Sequence, residues 1–411
     1  MAPKETNQWN SEKLEDICAQ ITDGKHGDCK DGPNSGFYFL SCKDIANEKL
    51  NYEGARQITK ADFLDTHRRT KLEPSDVLIT NSGTIGRMAI VPDNDLTRRT
   101  TFQKSVAILK PIKTRIQPNF LYYALQGDLL RLIEFAGGTA QKNLLLRDLR
   151  AFEIRVPPLC LQQRIADILS AYDDLIENNQ RRIKVLETMA RSLYREWFAN
   201  YRFPGHQWHP RVASPMGEIP KGWEAKNLGD VAEEIRRNVP KGRLDDPKPY
   251  IGLEHIPRRS LALDDWEMTT DLGSNKLEFR KGEVLFGKIR PYFHKVSVAP
   301  FDGLCSADTI VIRSRRPEHY AHVVACVSSD AFVAEATATS NGAKMPRANW
   351  DVLKKYPIVI PCGDVAVRFS ELVGSVLEQQ QTLVFQIQNL RRTRDLLLPR
   401  LLSGQINVEV A

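Results

Sequence analysis

The sequence is short of most features that would assign it to a class at once. No apolar run approaches the roughly 20 residues that a membrane-spanning helix needs, and residues 1–10 are too polar for a secretory signal. A cytoplasmic chain without membrane contact is expected. Its seven cysteines (Cys18, Cys29, Cys42, Cys160, Cys305, Cys326, Cys362) are scattered and never form Cys-x-x-Cys, so neither a disulfide framework nor a zinc site is expected. Phosphate-binding loops are missing as well. Residues 83–87 and 287–290 lack the Gly-x-x-x-x-Gly-Lys-Ser/Thr spacing, and no Gly-x-Gly-x-x-Gly follows a strand-like run. Nor is there an Asn/Asp-Pro-Pro-Tyr stretch of the kind adenine methyltransferases use. His206 and His209, and His319 and His322, have no third ligand close by in sequence and read as packed or surface histidines. Pro361-Cys362 is a lone dipeptide with no catalytic reading, and Asp173-Asp174, Asp245-Asp246 and Asp264-Asp265 read as solvated faces or caps. The chain is expected to carry no catalytic residue, metal or cofactor of its own.

What is present is a folded-protein composition, 42% hydrophobic and 27% charged over 411 residues, enough for two cores of ordinary size. A net charge of +7 permits a polyanionic partner without requiring one. Two stretches stand out. Leu161, Ile165, Ile168, Tyr172, Leu175, Asn179, Arg182, Leu186, Met189, Leu193 and Trp197 recur at alternating gaps of four and three, a heptad seam. Phe369, Leu372, Val376, Gln380, Leu383, Ile387, Leu390, Arg394, Leu397 and Leu401 repeat the pattern, with Pro399 as the one proline inside it. Two helices of roughly 40 residues, about 60 Å each at 1.5 Å per residue, are predicted to pack on each other antiparallel. Asn179 and Gln380 place a polar residue near the middle of each seam.

The rest of the chain is also duplicated. Trp9, Leu14, Asp16 and Ile17 return as Trp223, Leu228, Asp230 and Val231. In the same order, 39–45 is matched by 250–256, 76–79 by 283–286, 105–110 by 308–313 and 152–157 by 356–361. The unit of about 200 residues is far longer than a solenoid repeat. It comprises short strands, one helix (120–135; 320–336), a strand ending in proline, and a long helix. The predicted organisation is a first globular domain at 1–156, a first spacer helix at 157–200 and a linker at 201–221. A second globular domain at 222–361, a second spacer helix at 362–403 and a tail at 404–411 follow. The fold class is α+β, with two pseudo-two-fold-related domains separated by long antiparallel coiled-coil helices.

Candidate binding residues lie on the predicted loops. In the first domain they are Lys25, His26, Asn81, Ser82, Thr84, Arg87, Lys104, Lys142 and Asn143, with Gln103 and Gln141 beside them. In the second they are Arg236, Arg237, Lys288, Arg290, Tyr292, Lys344 and Arg347, with Asn238, Arg258, Arg259 and His294 as further members. Arg and Lys suit guanine O6 and N7, Asn and Gln suit adenine N6 and N7, and hydroxyls and lysines reach phosphates. Loops are polar in most proteins, so the recurrence in both repeats carries more weight than any one residue.

Several motifs resemble the specificity (S) subunit family of type I restriction-modification systems. They are Ile21-Thr22-Asp23-Gly24-Lys25-His26, Asp76-Val77-Leu78-Ile79-Thr80 with Ser82-Gly83-Thr84-Ile85-Gly86, and Pro157-Pro158-Leu159 with Gln162-Gln163-Arg164-Ile165-Ala166. Gly287-Lys288-Ile289-Arg290-Pro291-Tyr292, Phe203-Pro204-Gly205 after Trp197-Phe198, and 398–406 complete the set. The resemblance implies two target-recognition domains, each reading half of a split sequence in double-stranded DNA, with the helices as spacer. It also implies partner subunits: two modification subunits bringing S-adenosylmethionine and the methyltransferase site, and restriction subunits bringing ATP- and Mg-dependent translocation and nuclease activity. The second repeat departs from the pattern, reading Pro361-Cys362-Gly363-Asp364 where the first has Pro-Pro-Leu-x-x-Gln-Gln, so the two helical regions are not expected to be equivalent. A non-DNA coiled-coil scaffold recruiting partner proteins is the alternative of a different class, and a self-contained methyltransferase or nuclease is a third reading that the missing motifs disfavour.

Overall fold

Short β-branched runs bounded by turns make the sheets, and period-two alternation sorts their faces. The computed structural model describes residues 9–135, 143–361 and 363–408. It falls into two compact units, Met1–Asp174 with Arg391–Ala411, and Leu175–Leu390.

The first unit opens with β1 (Asn10–Lys13), α1 (Leu14–Ile17), β2 (Cys18–Asp23), β3 (Tyr38–Leu40) and the small hairpin β4 (Ile45–Ala46) and β5 (Lys49–Leu50). Helix α2 (Lys60–Thr70), β6 (Val77–Thr80), β7 (Met88–Ile90), β8 (Thr100–Phe102) and β9 (Val106–Pro111) follow, then α3 (Pro118–Gly127), α4 (Leu129–Phe135), α5 (Leu146–Ala151) and β10 (Glu153–Val156). The central sheet has the order β2-β9-β6-β7 and is antiparallel throughout. Val77, Ile79, Ala107 and Leu109 point to a core shared with α3, whereas Leu78, Val106 and Ile108 point to a second core with Leu40, Ile45 and Phe102. Strand β1 pairs with β10, closing the domain on itself just before the long helix begins.

Helix α6 (Leu159–Tyr194) leads to the hairpin β11 (Arg211–Ser214) and β12 (Gly217–Pro220). The second unit then repeats the first: β13 (Glu224–Asn227), α7 (Leu228–Val231), β14 (Ala232–Glu234), and after an insertion β19 (Val284–Gly287), β20 (Val296–Val298) and β22 (Thr309–Ser314). Its central sheet, β14-β22-β19-β20, has the same order and sense as the first. Val284, Phe286, Ile310 and Ile312 face one core, and Leu285 and Val311 the other. The insertion differs. Where the first domain has α2, the second has β15 (Arg237–Val239), β16 (Gly242–Ile251), β17 (Glu267–Leu272) and β18 (Lys276–Phe279), which join β21 (Gly303–Ser306) in a sheet of order β15-β18-β21-β16-β17. Helices α8 (Tyr320–Val327), α9 (Asp330–Ala338) and α10 (Trp350–Leu353) precede β23 (Pro357–Ile360), which pairs with β13 as β10 does with β1.

The single helices predicted at 120–135 and 320–336 are each broken in two. Ser329 caps α9 by accepting the Phe332 N–H at 3.2 Å, and the Ser328 hydroxyl turns back to the Val324 carbonyl at 2.8 Å. Asp128 occupies the equivalent break between α3 and α4. Side chains that cap one helix end the one before it.

Helix α11 (Gly363–Leu402) completes the pair of long helices, antiparallel as expected. In the first unit Ile165, Ala166 and Leu169 of α6 share a core with Leu398 and Leu401 of α11. In the second, Ile176 and Ile183 meet Leu383, Val384 and Ile387, and Trp197, in a π-helical turn at Arg195–Ala199, packs its ring 5.6 Å from Phe369. The predicted seam needs correction at every second step. Leu175 is 52% exposed and Met189 50%, and Arg182 is exposed, while Ile176, Ile183 and Ala190 are buried. In α11 Val373 is buried in place of Leu372. At Leu175, Met189 and Leu372 apolar residues stand at both i+3 and i+4, and spacing alone does not choose between them; at Arg182 the heptad count lands on a charge beside the buried Ile183. The mid-seam polar residues are where the pattern put them: Asn179 donates to Gln386 Oε1 at 3.4 Å, and Gln380 is buried with no partner for its Nε2 among the described residues.

Candidate nucleic-acid interface

The antiparallel order of the central sheet brings three chain segments to one edge. The C-terminal ends of β2 and β6 flank the N-terminal start of β9, so 24–26, 81–87 and 103–105 become neighbours. Lys25 N–H donates to Phe102 O at 2.8 Å, Lys104 N–H to Lys25 O at 3.1 Å, and Asn81 N–H to Ser105 O at 3.0 Å. Gly24 is required here, because a Cβ would stand 2.0 Å from the Phe102 carbonyl oxygen. The turn after β6 is held by Thr80, whose hydroxyl donates to Thr84 O at 2.5 Å and accepts the Arg87 N–H at 2.9 Å. The Leu144 N–H reaches Asn81 O at 2.9 Å, bringing Asn143 to the same edge.

Six of the predicted residues offer side chains there. Thr84, Arg87, Lys104 and Asn143 are exposed, Ser82 is half-buried, and His26 is exposed with its Nε2 2.8 Å from Asp23 Oδ2. Arg87 Nη1 also bonds the Ile45 carbonyl at 3.3 Å. Lys25 is committed elsewhere, to Asp62 at 3.3 Å and Asp65 at 3.2 Å on α2. Asn81 is buried, and its Oδ1 has no partner among the described residues. Lys142 lies outside the described residues.

The second domain builds the same edge from the ends of β14, β19 and β22. Lys288 N–H donates to Asp308 O, and the Ala348 N–H to Lys288 O, both at 2.9 Å; the second is the counterpart of the Leu144–Asn81 bond. Ile289 and Asn341 each bridge to Arg347, and Arg347 Nε lies 3.5 Å from Asp308. Lys344 and Tyr292 are exposed, and the Lys288 ammonium bonds Ala307 O at 2.9 Å. Arg290 sits in the left-handed region at φ 50°, and its Nε is buried with no partner among the described residues. For a branchless but long side chain that backbone is strained, and such strain concentrates at functional sites.

Arg236 and Arg237 are not brought to this group. Arg236 pairs with Glu234 at 2.9 Å. Both Nη atoms of Arg237 bond the carboxylate of Glu283, which precedes β19 and so lies at its far end from Lys288. Glu283 also takes Arg313 at 2.7 Å. Its counterpart in the first domain is the buried pair of Asp76 and Lys110, 2.6 Å apart. Burial pushes Asp76 above the usual carboxylate range, and Lys110 and the Glu73 N–H only partly counter it. Burial pushes Glu283 up as well, but Arg237, the Arg280 N–H and Arg313 outweigh it and hold Glu283 low. Arg237 and Arg313 lie 46 and 30 residues from Glu283, and Lys110 34 from Asp76, which is why spacing does not disclose these pairs.

The remaining motifs are structural. Gln162 is buried at the start of α6, donating to Arg115 O at 3.1 Å and Pro157 O at 2.8 Å while accepting the Gln117 N–H at 2.8 Å. Beside it an open groove of about 480 Å³ is lined by Trp9, Glu12, Arg115, Pro158 and Leu159. His322 is fully enclosed and its imidazole is pushed down to about 3 by burial and by His319. Among the described residues no group of three or more His, Cys, Asp or Glu could hold a metal ion, and no helix is long and apolar enough to cross a membrane.

Two equivalent sheet edges rimmed with polar and basic side chains, on domains joined to paired long helices, are the candidate surface for a polyanionic partner. The comparisons agree. Residues 6–188 match the family described as type I restriction modification DNA specificity domain. The MjaIX specificity subunit of Methanocaldococcus jannaschii is 26% identical, covering 98% of this chain and 94% of that protein. The HindI specificity subunit of Haemophilus influenzae is 20% identical over 97% of this chain and 100% of its own. The crystal structure of a type I restriction-modification S subunit from M. genitalium shares the fold, with a TM-score of 0.59 at 14% identity and 98% of each chain covered. Over nearly its full length the chain is thus similar to type I restriction-modification specificity subunits, and residues 6–188 carry the match to the DNA specificity domain.

Proposed function

We propose that each globular domain reads one half of a split DNA target through the edge described above, and that the paired helices set the unspecified gap and dock the modification subunits. The observation that carries this reading is the doubling of one edge, at equivalent strand ends, with buried polar atoms at Asn81 and Arg290 left without partners among the described residues. Buried groups of that kind call for a ligand or water to complete them. The family supplies the rest. S-adenosylmethionine and the methyltransferase site would reside in two modification subunits, and ATP- and Mg-dependent translocation and cleavage in restriction subunits, all acting on cytoplasmic DNA. Helix length supports a spacer role: the 36 residues of α6 at 1.5 Å each give about 54 Å, longer than the 34–36 Å of one DNA helical turn.

The test is single-molecule sequencing of DNA from a methyl-free host expressing this chain with a modification subunit that assembles with it. The expected result is methylation at two short defined sequences around a fixed gap, dependent on this chain. Methylation at one continuous sequence, or methylation indifferent to the chain, would overturn the reading. Removing one heptad from both α6 and α11 should shorten the gap and leave both half-sites unchanged.

A further inference from the structure

Each domain is gripped by a charged side chain of a long helix, at equivalent places in the repeat. In the second domain the grip is Glu187 of α6, which is buried. Its Oε1 accepts from the Ser260 hydroxyl and the Leu261 N–H, both at 2.6 Å, and from the Ala262 N–H at 3.3 Å. One turn further along, Arg191 lies 3.7 Å from Glu187 and donates to the Arg259 carbonyl. The gripped segment hands the restraint on. Leu261 O accepts the Val298 N–H at 2.9 Å and Ser260 O the Ser297 hydroxyl at 3.0 Å, both from β20. Strand β20 pairs with β19, whose end carries Lys288 and Arg290. A continuous hydrogen-bonded path therefore runs from the helix to the candidate reading edge.

The first domain has the counterpart. Arg394 of α11 lies 3.3 Å from Glu48, in the β4–β5 turn, and 2.5 Å from Asp173 of α6, which also accepts the Tyr123 hydroxyl at 2.5 Å. Glu48 and Arg259, equivalent in the repeat, are both left-handed, at φ 63° and 57°. Non-glycine residues hold that conformation only where their surroundings over-determine it.

We propose that Glu187 is a positioning residue for DNA recognition: by seating 260–262 on α6 it fixes the second reading edge against the helix, and so sets how strictly the gap between half-sites is measured. This rests on the split-target reading. A buried carboxylate satisfied by three donors of one segment favours a single seating, because any slip leaves a charge without partners.

The experiment compares wild type, Glu187→Ala and Ser260→Ala in the assembled methyltransferase complex. It measures methylation at the established target and at targets with the gap lengthened or shortened by one base pair. Wild type must first yield a split target, and if it does not, the split-target reading fails before the grip is tested. With Glu187→Ala, both half-site sequences should persist while discrimination between gap lengths falls about tenfold, as expected for a lost charged hydrogen-bond set. Ser260→Ala should shift it less, in the same direction. Hydrogen exchange at Leu261 and Ala262 reports whether the grip has opened. Faster exchange with unchanged gap discrimination would overturn the proposal, as would an altered half-site sequence. Should Glu187→Ala fail to fold, Ser260→Ala decides by the same criteria.

Discussion

The two globular domains share a scaffold and differ in what fills it. Both have a four-stranded antiparallel sheet in the same order, a two-stranded closure at the root of a long helix, and a helix pair on one face. On the other face the first domain stacks short strands and Leu72, just past α2, and the second a five-stranded sheet. Period-two alternation makes this exchange feasible: the residues that face the shared core, such as Val77 and Val284, are distinct from those that face the variable filling, such as Leu78 and Leu285. The filling can therefore change without disturbing the half of the sheet that anchors the candidate edge to the helices.

The largest expected break in this equivalence is at the buried ion pairs. Glu283→Ala leaves two arginines without their shared carboxylate and should destabilise the second domain by about 3–5 kcal/mol, measured by denaturant unfolding with hydrogen exchange to assign the domain. The same pairs predict opposite acid responses. Glu283 is held below its ordinary 4.5 in the folded state, so its contribution is present above that value and is lost as pH falls through the lowered pKa. Asp76 is raised above its ordinary 3.8, so its contribution is complete below 3.8 and is lost as pH rises through the raised pKa. Exchange measured between about pH 3 and 6 should show Glu283→Gln and Asp76→Asn changing the pH slopes of their own domains in opposite senses.

Next in size are the reading edges. Arg290→Ala should cost about 1–3 kcal/mol of binding and relax specificity in one half-site only, whereas Lys104→Ala should weaken binding to all sequences and lower the salt slope by about one. Titrations of the assembled complex at several salt concentrations separate the two outcomes. Smaller still is the ionic grip of the first domain. Glu48→Gln should loosen it by about 1 kcal/mol, less at high salt, which exchange at β4 and β5 would register. The smallest expected effect is at the seam, where Gln380→Leu removes a buried amide whose Nε2 has no partner among the described residues and should leave stability unchanged or raise it by about 1 kcal/mol in thermal unfolding.

The duplication, the antiparallel helices and the loops that assemble each edge are legible in the sequence because they rest on order and spacing. The seam was half legible: Leu175 and Ile176 are both apolar, and only packing selects Ile176. The commitments of Lys25 and Arg237 are not legible, since Asp62 and Glu283 lie dozens of residues from the residues they bind; Arg236 pairs with Glu234 two residues away, and only the backbone geometry selects that pair. Glu187 is hidden for a related reason, whereas the seam turns Arg394 toward the other helix without disclosing Asp173 or Glu48 as its partners. Glu187 sits on a helix whose exposed charges look much the same in sequence, and the fold alone shows which of them are covered.

Leu398 and Leu401, near the end of α11, complete the core that Leu14, Phe120 and Ile165 begin. The order of synthesis is therefore not the order in which the first domain can finish folding. A ribosome delivers its strands early, but the apolar surface awaiting α11 stays open until nearly the whole chain has emerged. A nascent first domain must keep that surface from other partners for the time taken to translate the second. A frameshift or stop near residue 390 would thus damage the half of the protein encoded first.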